Sequence, residues 1–160
     1  MFGTQTLGRR GFSLIELVIV VVIIGIIAAI AIPRMSRGAA GAADSALTGD
    51  LSVLRNAIDL YHTEHGGLDS SYPTTADIVN QLTGYTTDAG AVGAKDDTHI
   101  YGPYLRVVPK LPVGAAKGSS GIAAAAGAGV GWIYTVATGD IRANTTAGEK
   151  DARGVAYNTY

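Results

Sequence analysis

The chain has 160 residues and nearly balanced charge, with Lys+Arg 12 against Asp+Glu 13 and a formal net charge of -1. That length suits one domain, or one domain with an appended segment. Because neither sign of charge dominates, the composition gives no reason to expect nucleic acid or an acidic substrate as a partner. Cysteine is absent, which excludes a disulfide framework and a thiolate metal site.

The first predicted element is a membrane-spanning helix. Residues 12–32 are apolar except for Ser13, Glu16 and Gly25, and the length of this run matches the roughly 20 residues that a helix needs to cross a bilayer. The preceding residues 1–11 form a short, polar segment. Arginines flank the apolar run on both sides, so the positive-inside rule does not fix its orientation.

An arginine pair followed by an apolar run fits three kinds of N-terminus. One is a secretory signal peptide, for which Ala29–Ala31 offers a cleavage site, and another is a twin-arginine export signal, which Arg9 and Arg10 resemble. The third is a retained helix whose short leader is removed on the cytoplasmic side. A signal-peptide apolar region is only about 7 to 15 residues long, and a carboxylate at the centre of a membrane helix costs about 2.5 to 3.5 kcal/mol. The length of the run and the presence of Glu16 therefore favour the retained helix.

The sequence RRGFSLIELVIVVVIIGIIAAIAIPRM resembles the N-terminus of type IV prepilins and pseudopilins. The match rests on four positions, namely Gly11 at the end of a basic leader, Phe12, Glu16 four residues later, and Pro33 at the end of the apolar run. The resemblance implies that residues 1–11 are a cleaved leader whose charge comes from Arg9 and Arg10. It also implies that a membrane-embedded aspartyl prepilin peptidase cuts after Gly11 and methylates the new N-terminal amine of Phe12.

Glu16 is the polar residue for which this processing has a physical consequence. Cleavage before Phe12 places a cationic amine one helical turn from the Glu16 carboxylate, and in a medium of low dielectric an amine stabilises an otherwise unpaired anion. The amine can belong to the same chain or to a neighbour. The resemblance implies the neighbour, in which case Glu16 and the span 12–32 serve assembly. The alternative is a polar residue tolerated near the lipid headgroups.

Residues 33–65 are predicted to continue the helix as an amphipathic segment. Pro33 lacks a backbone N–H and clashes with the preceding turn, so a kink or local break is expected there. Beyond it, an apolar stripe with the spacing of one helix face comprises Leu47, Leu51, Leu54, Ile58 and Tyr61. The pair Gly66-Gly67 is expected to end the helix.

Residues 66–160 are predicted to form a compact α+β head. Thr74 and Asp77 have the spacing of a helix capping box, and the short helix that they open is expected to run to Leu82. The predicted strands are Tyr104–Val108, between two prolines, and a hairpin of Trp132–Val136 and Ile141–Asn144 that turns at Thr138–Asp140. The Gly/Ala-rich stretch 114–131 is predicted to be a mobile loop.

The patterns SYPTTADIVNQL, GPYLRVVPKLPVG and GWIYTVATGDIRAN resemble the head of major pseudopilins of type II secretion. This resemblance implies a pilin fold, in which a long N-terminal helix packs against a small antiparallel β-sheet head. It implies a single-pass inner-membrane protein with its head in the periplasm, which then joins a periplasmic filament. The expected partners are further copies of the chain in a helical homo-oligomer, the prepilin peptidase, an inner-membrane assembly platform and minor pseudopilins.

Two other functions stay open. A type IV pilin of a surface pilus, used for adhesion, twitching motility or DNA uptake, has the same kind of N-terminus. A membrane-tethered enzyme or binding domain needs a convergent polar pocket in its head, and the sequence has no phosphate-binding loop and no nucleophile elbow. We therefore expect a structural subunit without catalytic residues.

Two groups of residues raise the question of a metal. The resemblance implies one calcium ion after the last hairpin, where hard oxygen ligands are available in Asp140, Asn144, Glu149 and Asp151. The Asp/Ser loop of the family is not reproduced in NTTAGEKDARGVAYNTY, so an ordinary solvated loop is the alternative, and no other cofactor is expected. His62 and His65 flank Glu64, but without a further ligand they favour a solvated helix end over a metal site.

Overall fold

The computed structural model describes residues 12–68 and 71–160. Helix α1 spans Leu14–Glu64 and helix α2 spans Ile78–Thr83. The strands are β1 (Tyr85–Thr86), β2 (Val92–Gly93), β3 (Gly121–Ala123), β4 (Val130–Thr135) and β5 (Asp140–Ala143), followed by a 3-10 helix over Tyr157–Thr159. The described residues divide into two units, one that ends at Ala39 and one that spans Ala40–Tyr160.

Helix α1 is uninterrupted, although its sequence contains residues that weaken helices. It continues through Pro33, Gly38 and Gly41. A break of the helix at Pro33 is therefore wrong, while a kink there stays a prediction. Proline removes one donor from a helix of 51 residues, and helix propagation on both sides outweighs that local loss.

The apolar stripe of α1 faces the core of the unit Ala40–Tyr160, as its spacing predicts. Each residue of the stripe is at most 3 % exposed, namely Leu47, Leu51, Leu54, Ile58 and Tyr61. Beyond the helix, Gly66 and Gly67 have φ of 100° and 65°, and the Gly67 N–H donates to the His62 backbone oxygen at 2.9 Å. Since glycine adopts positive φ without steric strain, the predicted glycine stop is confirmed.

A three-stranded sheet in the order β3-β4-β5 lies in the same unit. Strands β4 and β5 pair antiparallel, from Trp132 opposite Ala143 to Thr135 opposite Asp140. Their turn contains Gly139 with φ of 71°, so the predicted hairpin is confirmed with slightly shifted ends. Strand β3 adds in parallel to β4, and β1 with β2 forms a separate antiparallel pair.

The core combines the sheet with both helices. Trp132, Tyr134 and Ile141 are each at most 1 % exposed and cluster with the apolar residues of α1 and α2. The polar atoms of both buried aromatic rings have hydrogen-bond partners. Trp132 Nε1–H donates to the Pro109 oxygen at 2.9 Å, and the Tyr134 hydroxyl donates to the Pro73 oxygen at 3.0 Å. The predicted α+β class, with a long helix packed with a small antiparallel sheet, is confirmed and is consistent with a pilin fold.

The strand predicted at Tyr104–Val108 is wrong. Among the described residues this segment has no ladder partner, and the N–H groups of Tyr104 and Leu105 instead donate to the Leu82 oxygen, at 2.9 and 2.8 Å. The prolines on either side lack the N–H donors that a strand needs to extend its pairing. The segment is a connection that covers the core with Leu105, which is 7 % exposed.

The capping box predicted for α2 is also wrong. The helix begins at Ile78 after Asp77, whose side chain makes no capping hydrogen bond. The Thr74 N–H instead donates to Gln81 Oε1 at 2.8 Å. A buried glutamine within the helix therefore receives the bond that a cap would have made.

The Gly/Ala-rich stretch 114–131, predicted as a loop, is ordered in part. It contains β3 and the start of β4, and Ile122 is buried. Gly121 and Gly131 lie very close to other backbone segments of the same chain. A Cβ at Gly121 would collide with the Gly129 backbone oxygen, and a Cβ at Gly131 with that of Ser119. Small residues here permit close backbone approach rather than chain mobility.

Candidate functional site

The candidate site is the N-terminal part of α1. Leu14–Ile32 forms a 19-residue stretch of mean hydropathy 3.2, none of which is buried. By length and composition it is the one helix among the described residues that can cross a membrane. A signal sequence can have a similar length and composition. Phe12, just ahead of the helix, is 84 % exposed. This part of the chain therefore presents an uncovered apolar surface.

In water this apolar surface would be unfavourably hydrated, and the described residues do not bury it. Burying one aliphatic side chain stabilises a structure by about 1.5 to 3 kcal/mol, and the exposed side chains include Ile15, Val18, Ile19, Ile23 and Ile27. Lipid tails can cover such a surface in a membrane, and neighbouring helices can cover it in an assembly. The same residues can therefore serve both states.

Glu16 lies in the first turn of α1 and is bonded to its own chain. The Ser13 N–H donates to Glu16 Oε2 at 2.8 Å, and Ser13 directly precedes the first helical residue. Ser-x-x-Glu at this place has the capping-box spacing, in which the glutamate bonds back to the N-cap amide. The positive end of the helix dipole also favours a carboxylate here. Sequence reasoning missed this role, although SLIE before an apolar run was a readable signal.

The second carboxylate oxygen of Glu16 has no donor among the described residues. Within residues 12–68 and 71–160, only Oε2 of Glu16 accepts a hydrogen bond. A carboxylate has about four lone-pair sites, so Oε1 can accept from an amine that approaches from outside the helical turn. Glu16 thus combines a helix cap with the capacity to bind a cationic group.

The predicted processing residues lie at the edge of the described chain or beyond it. Arg9, Arg10 and Gly11 lie outside the described residues, so the leader charge and the cleavage position stay predictions. Phe12 is described, and it lies two residues before the helix. Pro33 lies within α1, and its role in assembly also stays a prediction.

The structure does not gather the predicted calcium ligands into one metal cluster. Among the described residues, no group of three or more His, Cys, Asp or Glu side chains is placed to hold a metal ion. Each predicted ligand engages the chain itself: Asp140 with Thr138, Asn144 with Val130, Glu149 with Thr146, and Asp151 with Arg153. Hydrogen bonds from the backbone of Thr146 and Ala115 lower the pKa of Glu149, because they stabilise its charged form.

His62 and His65 are half-buried and packed, which differs from the solvated helix end that the sequence favoured. The His62 ring stacks on Tyr72 with 3.9 Å between ring centroids, and the His65 ring stacks on Tyr61 at 3.8 Å. His65 Nδ1 lies 2.8 Å from the Tyr61 backbone oxygen, and Nε2 lies 3.1 Å from that of Thr87. Both rings thus join the end of α1 to the loops that follow it.

Comparison with known proteins identifies the N-terminal segment. Residues 7–32 match the family model described as the prokaryotic N-terminal methylation motif. The match includes the predicted cleavage position at Gly11 and Phe12, as well as Glu16 and the exposed apolar stretch of α1. Neither a curated protein nor a solved structure matches the chain significantly. The motif is a prepilin-type signal, which implies processing by a prepilin peptidase and assembly into a filament. It supports the assignment of the chain as a type IV pilin-like subunit.

Proposed function

We propose that the chain is the major pseudopilin of a type II secretion system, a structural subunit that polymerises into a helical pseudopilus. The observation that carries this proposal is the uncovered apolar stretch of α1 within a prepilin-type methylation motif. Such a surface suits lipid before assembly and neighbouring copies of the same helix afterwards. The proposed role needs neither an enzymatic site nor a cofactor.

In the proposed mechanism the subunit first resides in the inner membrane, with its head in the periplasm. An assembly platform, together with a cytoplasmic ATPase and minor pseudopilins, moves subunits into the filament. Contacts between helices replace lipid contacts along Leu14–Ile32, so extraction does not expose this apolar surface to water. Filament growth then drives folded proteins across the outer membrane.

Glu16 is the residue that we assign to axial register. Cleavage before Phe12 creates a cationic amine, and Glu16 of a neighbouring chain offers Oε1, which has no partner among the described residues. The space between packed helices has a low dielectric constant. There, one axial position of the neighbouring subunit pairs the two charges, and every other position leaves them unpaired. The pair therefore sets the step from one subunit to the next.

A type IV pilin of a surface pilus is the alternative, because pilins and pseudopilins share this motif. Two features support the pseudopilin. The patterns in the head, among them GWIYTVATGDIRAN, resemble major pseudopilins, and the chain has no cysteine. A cysteine pair near the C-terminus is common in Gram-negative surface pilins.

Deletion of the gene in its own host separates the two functions. We expect the deletion strain to keep its surface fibres and motility but to accumulate secreted proteins in the periplasm, because the proposed filament serves export. The wild-type gene supplied in trans should restore secretion. Normal secretion together with lost surface fibres would assign the chain to a surface pilus.

Mass spectrometry of the membrane-extracted protein tests the processing. We expect the mature chain to begin at N-methylated Phe12. Gly11→Val should retain the leader, because a side chain next to the scissile bond obstructs the peptidase, whereas the matched substitution Gly8→Val should be cleaved normally. A chain that begins at Ile32 would indicate ordinary signal cleavage. Retention of Met1 in cells that possess the export machinery would contradict the proposal.

A further inference from the structure

Asp151 is a buried carboxylate in the C-terminal segment for which calcium is predicted. Its side chain is 1 % exposed. Oδ1 accepts the N–H groups of Arg153 and Val155, both at 2.8 Å. Oδ2 accepts Arg153 Nε–H at 2.8 Å and the Tyr160 hydroxyl at 2.6 Å. Because a carboxylate has about four lone-pair sites, donors of the chain itself use its full accepting capacity.

Arg153 closes a triangle of contacts around this carboxylate. Its Nη2 donates to the Tyr160 hydroxyl at 2.8 Å, so the guanidinium contacts both Asp151 and the hydroxyl bonded to it. We name Asp151, Arg153 and Tyr160 the C-terminal clasp. The Tyr160 hydroxyl and the Arg153 guanidinium both bond to the charged form of Asp151 and hold the pKa of its carboxyl far below the usual range.

The segment that carries the clasp is attached to α1. The Tyr157 hydroxyl donates to Asp44 Oδ1 at 2.7 Å. Arg55 Nη2 donates to the Tyr160 backbone oxygen at 2.6 Å. These contacts hold residues 151–160 on α1. When the clasp is ordered, the whole segment 151–160 is therefore ordered against the helix.

A calcium ion does not fit this arrangement. Calcium takes six to eight oxygen ligands at about 2.3 to 2.6 Å, and it cannot bind lone pairs at which N–H and O–H hydrogens already point. Glu149 is also engaged, since Oε2 accepts the N–H and the hydroxyl of Thr146 at 2.6 and 3.1 Å, and Oε1 accepts the Ala115 N–H. Arg153 also repels a cation from the Asp151 carboxylate.

We infer that the Arg153 guanidinium takes the place of a bound cation, and that the C-terminal clasp locks residues 151–160 without calcium. Arginine suits this role because its planar guanidinium has several N–H donors in fixed positions. It donates to the Asp151 carboxylate and to the Tyr160 hydroxyl at the same time. The Arg153 side chain is 74 % exposed, so replacing it leaves no cavity in the core. The order of this segment is then independent of the surrounding calcium concentration.

Hydrogen exchange of the full chain in detergent micelles tests this inference. The N–H groups of Arg153 and Val155 report on the clasp directly, because both donate to Asp151 Oδ1. We expect their exchange rates to be equal in EGTA and in about 10 mM calcium, a concentration above the Kd of weak protein calcium sites. If calcium slows this exchange by about tenfold or more, the inference is overturned.

Arg153→Ala is expected to speed exchange at Val155 about tenfold, with or without calcium, because hydrogen bonds to a charged group are the stronger kind. Lys150→Ala is the matched control, since it removes a nearby exposed cation outside the clasp, and it should change the rate by less than about twofold. The Trp132 N–H should exchange at its wild-type rate in both variants, which shows that the core remains folded. A wild-type rate at Val155 in Arg153→Ala would overturn the inference.

Tyr160→Phe provides a milder second variant in case Arg153→Ala disturbs the core. It removes one hydroxyl that donates to Asp151 and accepts from Arg153. We expect faster exchange at Val155 and an unchanged rate at Trp132. An unchanged rate at Val155 would mean that the triangle of contacts does not hold the segment.

Discussion

Glu16→Ala is expected to abolish filament assembly while processing at Gly11 continues. The substitution removes the bond from the Ser13 N–H and the oxygen that we assign to the neighbouring amine. Loss of a cap costs a helix about 0.5 to 2 kcal/mol, which a long apolar helix in a membrane tolerates. Loss of the charge partner leaves a buried amine unpaired, which costs about 3 to 5 kcal/mol at each contact between subunits.

Glu16→Gln separates these two roles. Glutamine keeps a side-chain oxygen for the Ser13 N–H but carries no charge, so a filament that depends on the ion pair fails with glutamine as it does with alanine. Electron microscopy of filaments and mass spectrometry of the N-terminus provide the two readouts. Normal filaments from Glu16→Ala would rule out the register role. Assembly with glutamine but not with alanine would assign Glu16 to helix capping alone.

Trp132→Ala is expected to bring the head close to unfolding. Trp132 is fully buried in the cluster that contains the apolar stripe of α1, and its bond to the Pro109 oxygen is lost with the ring. Replacing a buried tryptophan with alanine costs about 3 to 5 kcal/mol, and the total free energy of unfolding of a domain is only about 5 to 15 kcal/mol.

Denaturant titration of the full chain in detergent, followed by near-ultraviolet circular dichroism of its tyrosines, measures this loss. Far-ultraviolet signal is a poor monitor, because the apolar part of α1 is expected to stay helical in detergent. Val107→Ala, at a residue 71 % exposed, should change the free energy of unfolding by less than about 0.5 kcal/mol. A loss below about 1 kcal/mol for Trp132→Ala would contradict the place of this ring in a cooperative core.

The parts of the fold that could be predicted are those with a local signal. The stripe from Leu47 to Tyr61 repeats with the period of a helix, so the buried face of α1 follows from residues one turn apart. The hairpin turns at Gly139, between the largely apolar strand β4 and strand β5, in which charged and apolar residues alternate. In both cases neighbours along the sequence decide the structure.

The two errors in the strand assignment have a different cause, because neither segment carries a local signal for the residues that it contacts. Tyr104–Val108 has the composition of a strand, but its first two N–H groups bond to Leu82 and not to a strand. Strand β3 has weak strand propensity, yet Gly121 and Gly131 allow backbone segments of this region to approach each other closely. Strand propensity depends on such tertiary context.

The two sites differ in whether a known sequence motif marks them. The prepilin-type motif was predictable because Gly11, Phe12 and Glu16 fall within one continuous stretch, residues 7–32. The C-terminal clasp was not, because no motif marks it: its contacts join residues at most nine positions apart, but the sequence does not indicate which donors reach the Asp151 oxygens. The attachment of this segment to α1 was not predictable either, because the contact of Tyr157 with Asp44 joins residues 113 positions apart.

The Ser13 N–H bonds to one carboxylate oxygen of Glu16, and among the described residues the other oxygen has no partner. In a polymer joined through that second oxygen, every subunit gives one amine to a neighbour and receives one from another. The two tips of such a fibre differ chemically, because acids lack partners at one tip and bases lack partners at the opposite tip. Machinery that distinguishes the tips can therefore lengthen or dismantle the fibre with a defined polarity.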